Sequence, residues 1–149
     1  MDLRRALSAD LHLLVPLFDA YRQFYRQPSD PGRAEAFLQE RLAREESVIF
    51  LALESAEGAG FVQLYPSFWS VAACRSWILN DLYVAPRFRG RGVARALLAR
   101  ARSHAEATGA GGMSLATQHD NQTAQRLYES LGWVRDEEFL HYELALPRS

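Results

Sequence analysis

The sequence has one cysteine and no long apolar run. Cys74 stands alone among 149 residues, which excludes an intrachain disulfide and a zinc cluster built from several thiolates. No apolar stretch approaches the roughly 20 residues that a membrane-spanning helix needs, and the N-terminus has no clear apolar core or cleavage site of a signal peptide. These absences predict a cytoplasmic protein with no membrane partner.

An excess of one charge sign is also missing. Seventeen basic and 18 acidic side chains leave a net charge of −1. This balance argues against a protein that binds nucleic acid through bulk electrostatics, although a local basic site remains possible. The composition is that of an ordinary globular protein, and the length predicts a single domain over residues 1–149 with one core. We expect no metal site.

Apolar spacing predicts strands and helices in the order β-α-α-β-β-β-α-β-α-β, with room for one more strand at the end. An antiparallel meander that leads into strand–helix–strand units is typical of an α/β (α+β) fold. We therefore expect a mixed, mostly antiparallel sheet of six to seven strands and about four helices. The predicted strands are residues 3–7, 47–54, 61–69, 75–84, 113–118 and 133–146, and the predicted helices are residues 8–27, 33–46, 92–107 and 121–132.

The most informative stretch is LNDLYVAPRFRGRGVARALLARA, residues 79–101, where a strand runs into a helix. The first N–H groups of such a helix have no internal partner, and the helix dipole adds positive charge there. Gly90 and Gly92 permit backbone angles that other residues resist, and three arginines surround them. Together these features predict a diphosphate site.

Two other kinds of phosphate-binding loop do not fit this stretch. A nucleotide-binding P-loop needs Gly-Lys-Ser/Thr, which is absent, and a dinucleotide fingerprint needs a third glycine after Gly90 and Gly92. The alternative without a ligand is a solvated loop that simply begins a helix.

The run Arg89-Gly90-Arg91-Gly92-Val93-Ala94 resembles the R/Q-x-x-G-x-G/A signature of the GNAT superfamily of acyl-CoA N-acyltransferases. The preceding LNDLYVAP is similar to that family's core strand, and NQTAQRLYESLGW at residues 121–133 is similar to its second block. Both blocks occur in the family's order, and the likeness extends from residue 3 to 146. In appearance the sequence is nearest to the histone/polyamine, D-amino-acid and diamine acetyltransferase-like branches.

The resemblance implies a GNAT-like fold, dependence on acetyl-CoA and a role for each matching position. Main-chain groups of residues 82–84 would pair with the pantetheine arm, as an added strand pairs with a sheet edge. Amides of residues 89–95 would hold the pyrophosphate, and the helix from residue 121 would also contact the cofactor. The implied cofactor residues are Leu82, Tyr83, Val84, Arg89, Gly90, Arg91, Gly92, Val93, Ala94, Arg95, Asn121 and Ala124.

The expected reaction is direct attack of an amine on the thioester in a ternary complex. Tyr128 is the expected proton donor to the leaving thiolate; otherwise it is a core tyrosine. By analogy, a strand-bulge amide near Tyr83–Val84 would stabilise the oxyanion, and a covalent route through Cys74 is disfavoured. Some family members carry a glutamate where this chain has Asn80. The base is therefore left open among Asp81, His119, Asp120 and a water chain.

The acceptor is expected to be a small-molecule amine, such as an amino acid or polyamine. Aromatic side chains in the elements that should form the acceptor pocket suit a cation, although core packing accounts for at least half of them. A protein lysine or N-terminal acetyltransferase is the alternative, and a non-catalytic CoA-binding module is a third. A homodimer is expected, through the last strands with Trp133, Phe139 and Tyr142. The aromatic set is Tyr21, Phe24, Tyr25, Tyr65, Phe68 and Trp69, and the candidate substrate residues are Tyr25, Trp69, Asn80, Asp81 and His119.

Overall fold

Five strands form one sheet in the first part of the chain. The computed structural model describes residues 1–148 and divides into two compact units, of which the first is Met1–Ala116 and the second begins at Thr117. The sheet order is β1-β2-β3-β4-β5, antiparallel except for the parallel pair β4–β5. The strands are β1 (Asp2–Arg5), β2 (Val48–Glu54), β3 (Glu57–Trp69), β4 (Cys74–Val84) and β5 (Gly112–Leu115).

Three helices accompany the sheet in the first unit, and a fourth lies in the second. Asp30 begins the second helix by accepting a hydrogen bond from the Arg33 amide at 3.1 Å, and Pro31 follows in the first turn, where its missing N–H costs nothing. Pro16 lies inside the first helix, which starts at Leu11. The helices are α1 (Leu11–Phe24), α2 (Pro31–Ala43), α3 (Val93–Ala107) and α4 (Gln122–Ser130).

The sheet is covered on both faces, which explains why β2 is apolar and buried along almost its whole length. Leu14 of α1 and Leu38 of α2 are fully buried in one cluster with Phe61 of β3. On the other face, Phe50 contacts the His104 ring of α3 with ring centroids 5.5 Å apart. The α1–α2 layer therefore lies against one side of the sheet and α3 against the other.

The fold prediction is confirmed, with corrections to three segments. Residues 57–60, which lie between the predicted strands 47–54 and 61–69 and were expected to connect them, belong to β3, and the turn lies at Ser55–Ala56, where φ is 49° and 66°. The predicted buried strand 113–118 is the shorter β5, partly exposed because it pairs with β4 alone.

The strand expected within residues 133–146 is the third correction. Up to residue 148 no strand follows α4, so the described sheet has five strands rather than six to seven. Leu140, Tyr142, Leu144 and Leu146 alternate as a strand requires, but all four are exposed. An alternating pattern shows that a segment could form a strand; it does not supply the strand that would pair with it.

Candidate functional site

Strand β4 has a free edge over its last residues. β5 pairs with β4 only from Ser76 to Leu79 and then ends. Beyond Leu79, no strand among residues 1–148 pairs with that edge, while the opposite edge of β4 continues to pair with β3. An extended ligand could therefore add to the sheet along residues 80–84.

The alternation of antiparallel hydrogen bonds decides which groups face this edge. The amide of Ala85 donates to the Ala59 oxygen at 2.8 Å, so Ala85 and Ala59 form one of the hydrogen-bonded residue pairs of the β3–β4 ladder. Two residues earlier, the main-chain groups of Tyr83 consequently turn toward β3, whereas those of Leu82 and Val84 turn away from it. Two of the three residues predicted to meet pantetheine thus offer main-chain groups to the free edge.

A glycine loop connects this edge to α3. Gly90 and Gly92 adopt left-handed backbone conformations, with φ of 75° and 80°, and Gly92 is the N-cap of α3. The amide of Ala96 donates to the Gly92 oxygen at 3.0 Å, which is the first hydrogen bond within α3. The amides of Val93 and Ala94 come before it and therefore have no acceptor within the helix. A Cβ at either glycine would have no heavy atom within 4 Å. The loop therefore presents main-chain groups beside open space, as a phosphate group requires.

The loop arginines are largely engaged with the protein itself. Arg87 forms an exposed ion pair with Glu57 at 2.6 Å, and Arg89 donates from Nε to the Val84 oxygen at 3.0 Å. The Arg91 guanidinium lies 5.7 Å from the centre of the Phe88 ring. The arginines add positive charge around the loop, while the glycines and the helix start create the space.

A β-bulge shapes the middle of β4. Asp81 pairs with Gln63, but Leu79 pairs with Leu64, which leaves Asn80 as the extra residue. The expected bulge near Tyr83–Val84 is therefore wrong, because both residues pair regularly with β3. With Asn80 as the extra residue, its side chain is exposed and that of the following Asp81 is buried.

Asp81 is the centre of a buried polar cluster, with only 6% of its surface exposed. Gln63 Nε2 donates to its Oδ2 at 2.6 Å, and Asn80 Nδ2 donates to its Oδ1 at 3.1 Å. Burial raises the pKa of Asp81, and hydrogen bonds from neighbouring side chains, that of Gln63 first, oppose the rise. No arginine, lysine or histidine among residues 1–148 forms an ion pair with this carboxylate.

Two tyrosines respond to the charge of Asp81. Burial, followed by the field of the carboxylate, raises the pKa of Tyr21 far above its ordinary value. The same two causes raise the pKa of Tyr65 to about 12, with Arg41 acting in the opposite direction. Both phenols are consequently neutral at physiological pH, and the acidic group of the cluster is Asp81.

The aromatic residues predicted to form one cleft fall into separate groups. The Tyr21 ring contacts Tyr25 at 5.2 Å, and Phe24 contacts Tyr25 at the same distance. Trp69 instead lies at the opposite end of the β3–β4 pairing from Asp81, where its ring packs so closely on Gly112 that a Cβ would overlap it. Sequence alone could not separate these groups, because both lie on aromatic-rich segments.

The second unit carries the remaining predicted residues. Asn121 caps α4, and its Oδ1 accepts a hydrogen bond from the Ala124 amide at 3.1 Å. Tyr128 lies toward the end of α4 and its ring is 6.2 Å from that of Trp133. His119 is exposed in the segment before the helix.

Gln63 is the site residue that the sequence analysis missed. It is fully buried and hydrogen-bonded to Asp81. A signal was present: in FVQLYP an amide interrupts a run of apolar strand residues, and buried polar side chains need partners.

Fold and loop together define the class of the protein as an acyl-CoA N-acyltransferase. The model of the acetyltransferase (GNAT) family matches residues 14–133, and the chain belongs to that family. It is 47% identical over 147 residues, 99% of each chain, to the uncharacterized N-acetyltransferase YhfO of Bacillus subtilis (strain 168). The chain is an acetyl-CoA-dependent N-acetyltransferase.

Solved structures show the same fold. A probable acetyltransferase superposes with a TM-score of 0.92 at 46% identity, with all of both chains covered. The aminoglycoside N-acetyltransferase AAC(6')-Iy in complex with CoA superposes with a TM-score of 0.82 at 21% identity, covering 97% of this chain and 95% of that one.

Within residues 1–148, no three or more His, Cys, Asp or Glu side chains gather where they could hold a metal ion. None of the described helices is long and apolar enough to cross a membrane.

Proposed function

We propose that this enzyme acetylates the primary amine of a small molecule, an amino acid or a polyamine-like compound, by direct attack in a ternary complex. The observation that carries the proposal is the position of Asp81. This buried carboxylate has no cationic partner in the described chain, and it lies on the strand whose free edge would hold the acetyl donor. An ammonium group would supply the missing positive charge.

The acetyl donor fits the β4 edge and the loop. Acetyl-CoA supplies a thioester, and the chain must bind its arm and its phosphates. Main-chain groups of Leu82 and Val84 would pair with pantetheine, and the open space at Gly90 and Gly92 would admit the pyrophosphate. Amides through Arg95, together with Asn121 and Ala124, complete the proposed set.

Tyr128 is the proposed proton donor to the departing thiolate. A phenol with an ordinary pKa near 10 is neutral at physiological pH and can donate to a developing thiolate charge. This assignment comes from the match of residues 121–133 to the family's second block. A direct route needs no acylated residue, so Cys74 has no part in it.

The acceptor is proposed to be small because of what surrounds Asp81. The Tyr21 ring, whose pKa responds to the charge of the carboxylate, has its centre 5.2 Å from that of the exposed Tyr25, and this aromatic pair suits a compact organic cation. The sequence offers no acidic run that would receive a long basic peptide.

A cytoplasmic homodimer is proposed as well. Large apolar side chains lie exposed near the C-terminus, where more than four-fifths of the Tyr142 and Leu144 surfaces are accessible. Such exposed apolar surface is typical of a subunit interface. Light scattering at several concentrations would test it, and a monomer throughout would contradict it.

The experiment is a panel of acceptors mixed with acetyl-CoA and a thiol-reactive dye. Putrescine, spermidine, L-lysine and L-methionine represent small amines, and peptides with free N-termini or internal lysines represent proteins. We expect thiol release with at least one small amine and background release with the peptides. Release with peptides alone would establish the protein acetyltransferase. Tight CoA binding without release from any amine or peptide would favour the non-catalytic module.

A further inference from the structure

A cavity of about 330 Å³ lies at the end of the β3–β4 pair that is far from the glycine loop. Thr108, which lines it, follows the C-terminal end of α3, whereas Gly92 precedes the N-terminal end. The 15 residues of this helix span about 22 Å, so the cavity is separate from the site proposed for acetyl-CoA. Its lining residues are Pro66, Ser67, Arg75, Ser76, Trp77 and Thr108.

The alternation of side chains along the strands decides which of them face the cavity. The Trp77 ring contacts the His104 ring of α3 with centroids 5.1 Å apart, so Trp77 lies on the α3 face of the sheet. Arg75 is two residues away and shares this face, as does Pro66, the cross-strand partner of Trp77. The intervening serine of each strand points to the opposite face and offers the cavity only main-chain groups.

Trp77 forms a fixed apolar wall. Its Nε1 donates to Thr108 Oγ1 at 2.9 Å, and Thr108 Oγ1 in turn donates to the His104 main-chain oxygen at 3.0 Å. The one polar atom of the indole is therefore used within the protein, and the ring presents carbon to the cavity. Pro66 adds a second apolar surface across the strand pair.

Arg75 is the charged group of the cavity. It is exposed, and its guanidinium forms no ion pair with any carboxylate among residues 1–148. The group lies 5.5 Å from the centre of the Phe68 ring, which belongs to its cross-strand partner. Stacking on a ring orients a guanidinium and leaves its N–H donors at the edge available. No acidic side chain of the described chain lines the cavity, so an anion would meet no opposing charge there.

We propose that this cavity binds a small organic carboxylate with an apolar body. The carboxylate pairs with the Arg75 guanidinium, and the apolar body lies on Trp77 and Pro66. The volume is at the lower end of the range of about 300–1,000 Å³ for ligand sites, which favours a small molecule. The proposal goes beyond the acetyl transfer proposed above and does not depend on it.

The two kinds of surface select this class of ligand together. A planar carboxylate matches the fork of N–H donors that one arginine presents, and it accepts two parallel hydrogen bonds. Inorganic phosphate would gain the charge but leave the indole uncovered, whereas a neutral apolar molecule would leave the guanidinium unpaired. Only a ligand with both parts uses the whole cavity.

The test is a titration of the ¹⁵N-labelled enzyme with benzoate, followed through the indole N–H signals of its three tryptophans. Trp77→Phe identifies the signal of Trp77. We expect this signal to shift along a saturating curve with a Kd on the order of 1–10 mM, as suits a ligand of this size. Benzyl alcohol carries the ring without the charge and acetate the charge without the ring, and each should bind at least about tenfold more weakly.

Arg75→Met should raise the Kd for benzoate by at least about tenfold, because it removes hydrogen bonds to a charged group. The exposed position of Arg75 leaves the core intact in this variant. Arg102→Met is the matched control, since Arg102 is an exposed arginine that pairs with Glu106 at 2.8 Å and does not line the cavity. This control should keep the wild-type Kd, and so should wild type saturated with CoA.

Three results would overturn the proposal: a Trp77 signal that does not move at benzoate concentrations well above the expected Kd, an unchanged Kd in Arg75→Met, or displacement of benzoate by CoA. The last would place the probe at the glycine loop. All three leave the acetylation of small amines untouched, because the panel of acceptors tests that function separately.

Discussion

Arg89 lies back along the strand that precedes it, and its Nε donates to the main-chain oxygen of Val84 at 3.0 Å. Its guanidinium is also 5.7 Å from the centre of the Tyr83 ring. One side chain thus connects the glycine loop to the end of β4, where the free edge and the loop meet. Arg89 contributes to the site chiefly by holding these two segments together.

Replacing Arg89 with methionine should therefore weaken CoA binding moderately. Loss of one hydrogen bond of about 0.5–1.5 kcal/mol corresponds to roughly a 2- to 13-fold rise in Kd. Titration calorimetry with CoA measures this rise, and Arg91→Met, which removes a guanidinium 5.7 Å from the Phe88 ring, should have a smaller effect. Equal losses in both variants would mean that bulk positive charge matters more than the contact with Val84.

Gly92→Val should weaken CoA binding by more than about tenfold. The backbone at Gly92 has φ of 80°, which costs an L-residue about 1–2 kcal/mol, and a β-branched one more. Gly109→Val is the matched control, since Gly109 has φ of 75° and equally open surroundings but follows the other end of α3. Both variants should lose stability, and only Gly92→Val should lose CoA affinity. Unchanged affinity in Gly92→Val would refute the diphosphate site.

Tyr128→Phe should lower turnover much more than it weakens CoA binding. Removing a proton donor to the leaving group costs about 10²–10⁴-fold in rate, whereas the ring is retained. Steady-state kcat and the Kd for CoA should be measured together, with Tyr142→Phe, an exposed tyrosine, as control. Turnover equal to wild type would eliminate the acid role of Tyr128.

Asp19 should make folding stability pH-dependent in the opposite sense to Asp81. Hydrogen bonds from Ser29 Oγ at 2.7 Å and from the Asp30 amide at 2.8 Å lower the pKa of this buried carboxyl. Its stabilising effect is present above the unfolded pKa of about 3.9 and is lost as pH falls through the lower folded value.

The test of Asp19 is urea unfolding of Asp19→Asn over a range of pH. At neutral pH the free energy of unfolding of the variant should be about 1–3 kcal/mol lower than that of wild type, because donors in the α1–α2 turn lose a charged acceptor. This difference in the free energy of unfolding between variant and wild type should become smaller in acid. Asp2→Asn, at an exposed position, should show no such gap. A gap that stayed constant down to acid pH would contradict the assignment.

The fold and the cofactor loop were predictable because their signals are local. Gly90 and Gly92 mark the strand–helix junction by themselves, and the reaction class followed from the resemblance of residues 89–94 and 121–133 to the two blocks of the GNAT family. The Asp81 cluster was only partly predictable. Its geometry depends on the bulge at Asn80 and on the register that places Gln63 opposite Asp81, and neither is visible in one strand alone. The alternating residues 140–146 indicated a strand for which the described chain provides no pairing partner.

The central claim, that the acetyl group passes directly from acetyl-CoA to the amine, is tested by one experiment in two stages. Enzyme and a small excess of acetyl-CoA are mixed first without amine and then with it, while thiol release and the intact protein mass are followed. All 17 basic side chains are arginine, so no lysine can be acetylated and confuse the mass. In the first stage we predict no thiol release and an unchanged protein mass. In the second stage we predict that the amount of thiol released equals the amount of amine acetylated. A burst of thiol with an acetylated protein before amine is added would contradict the account.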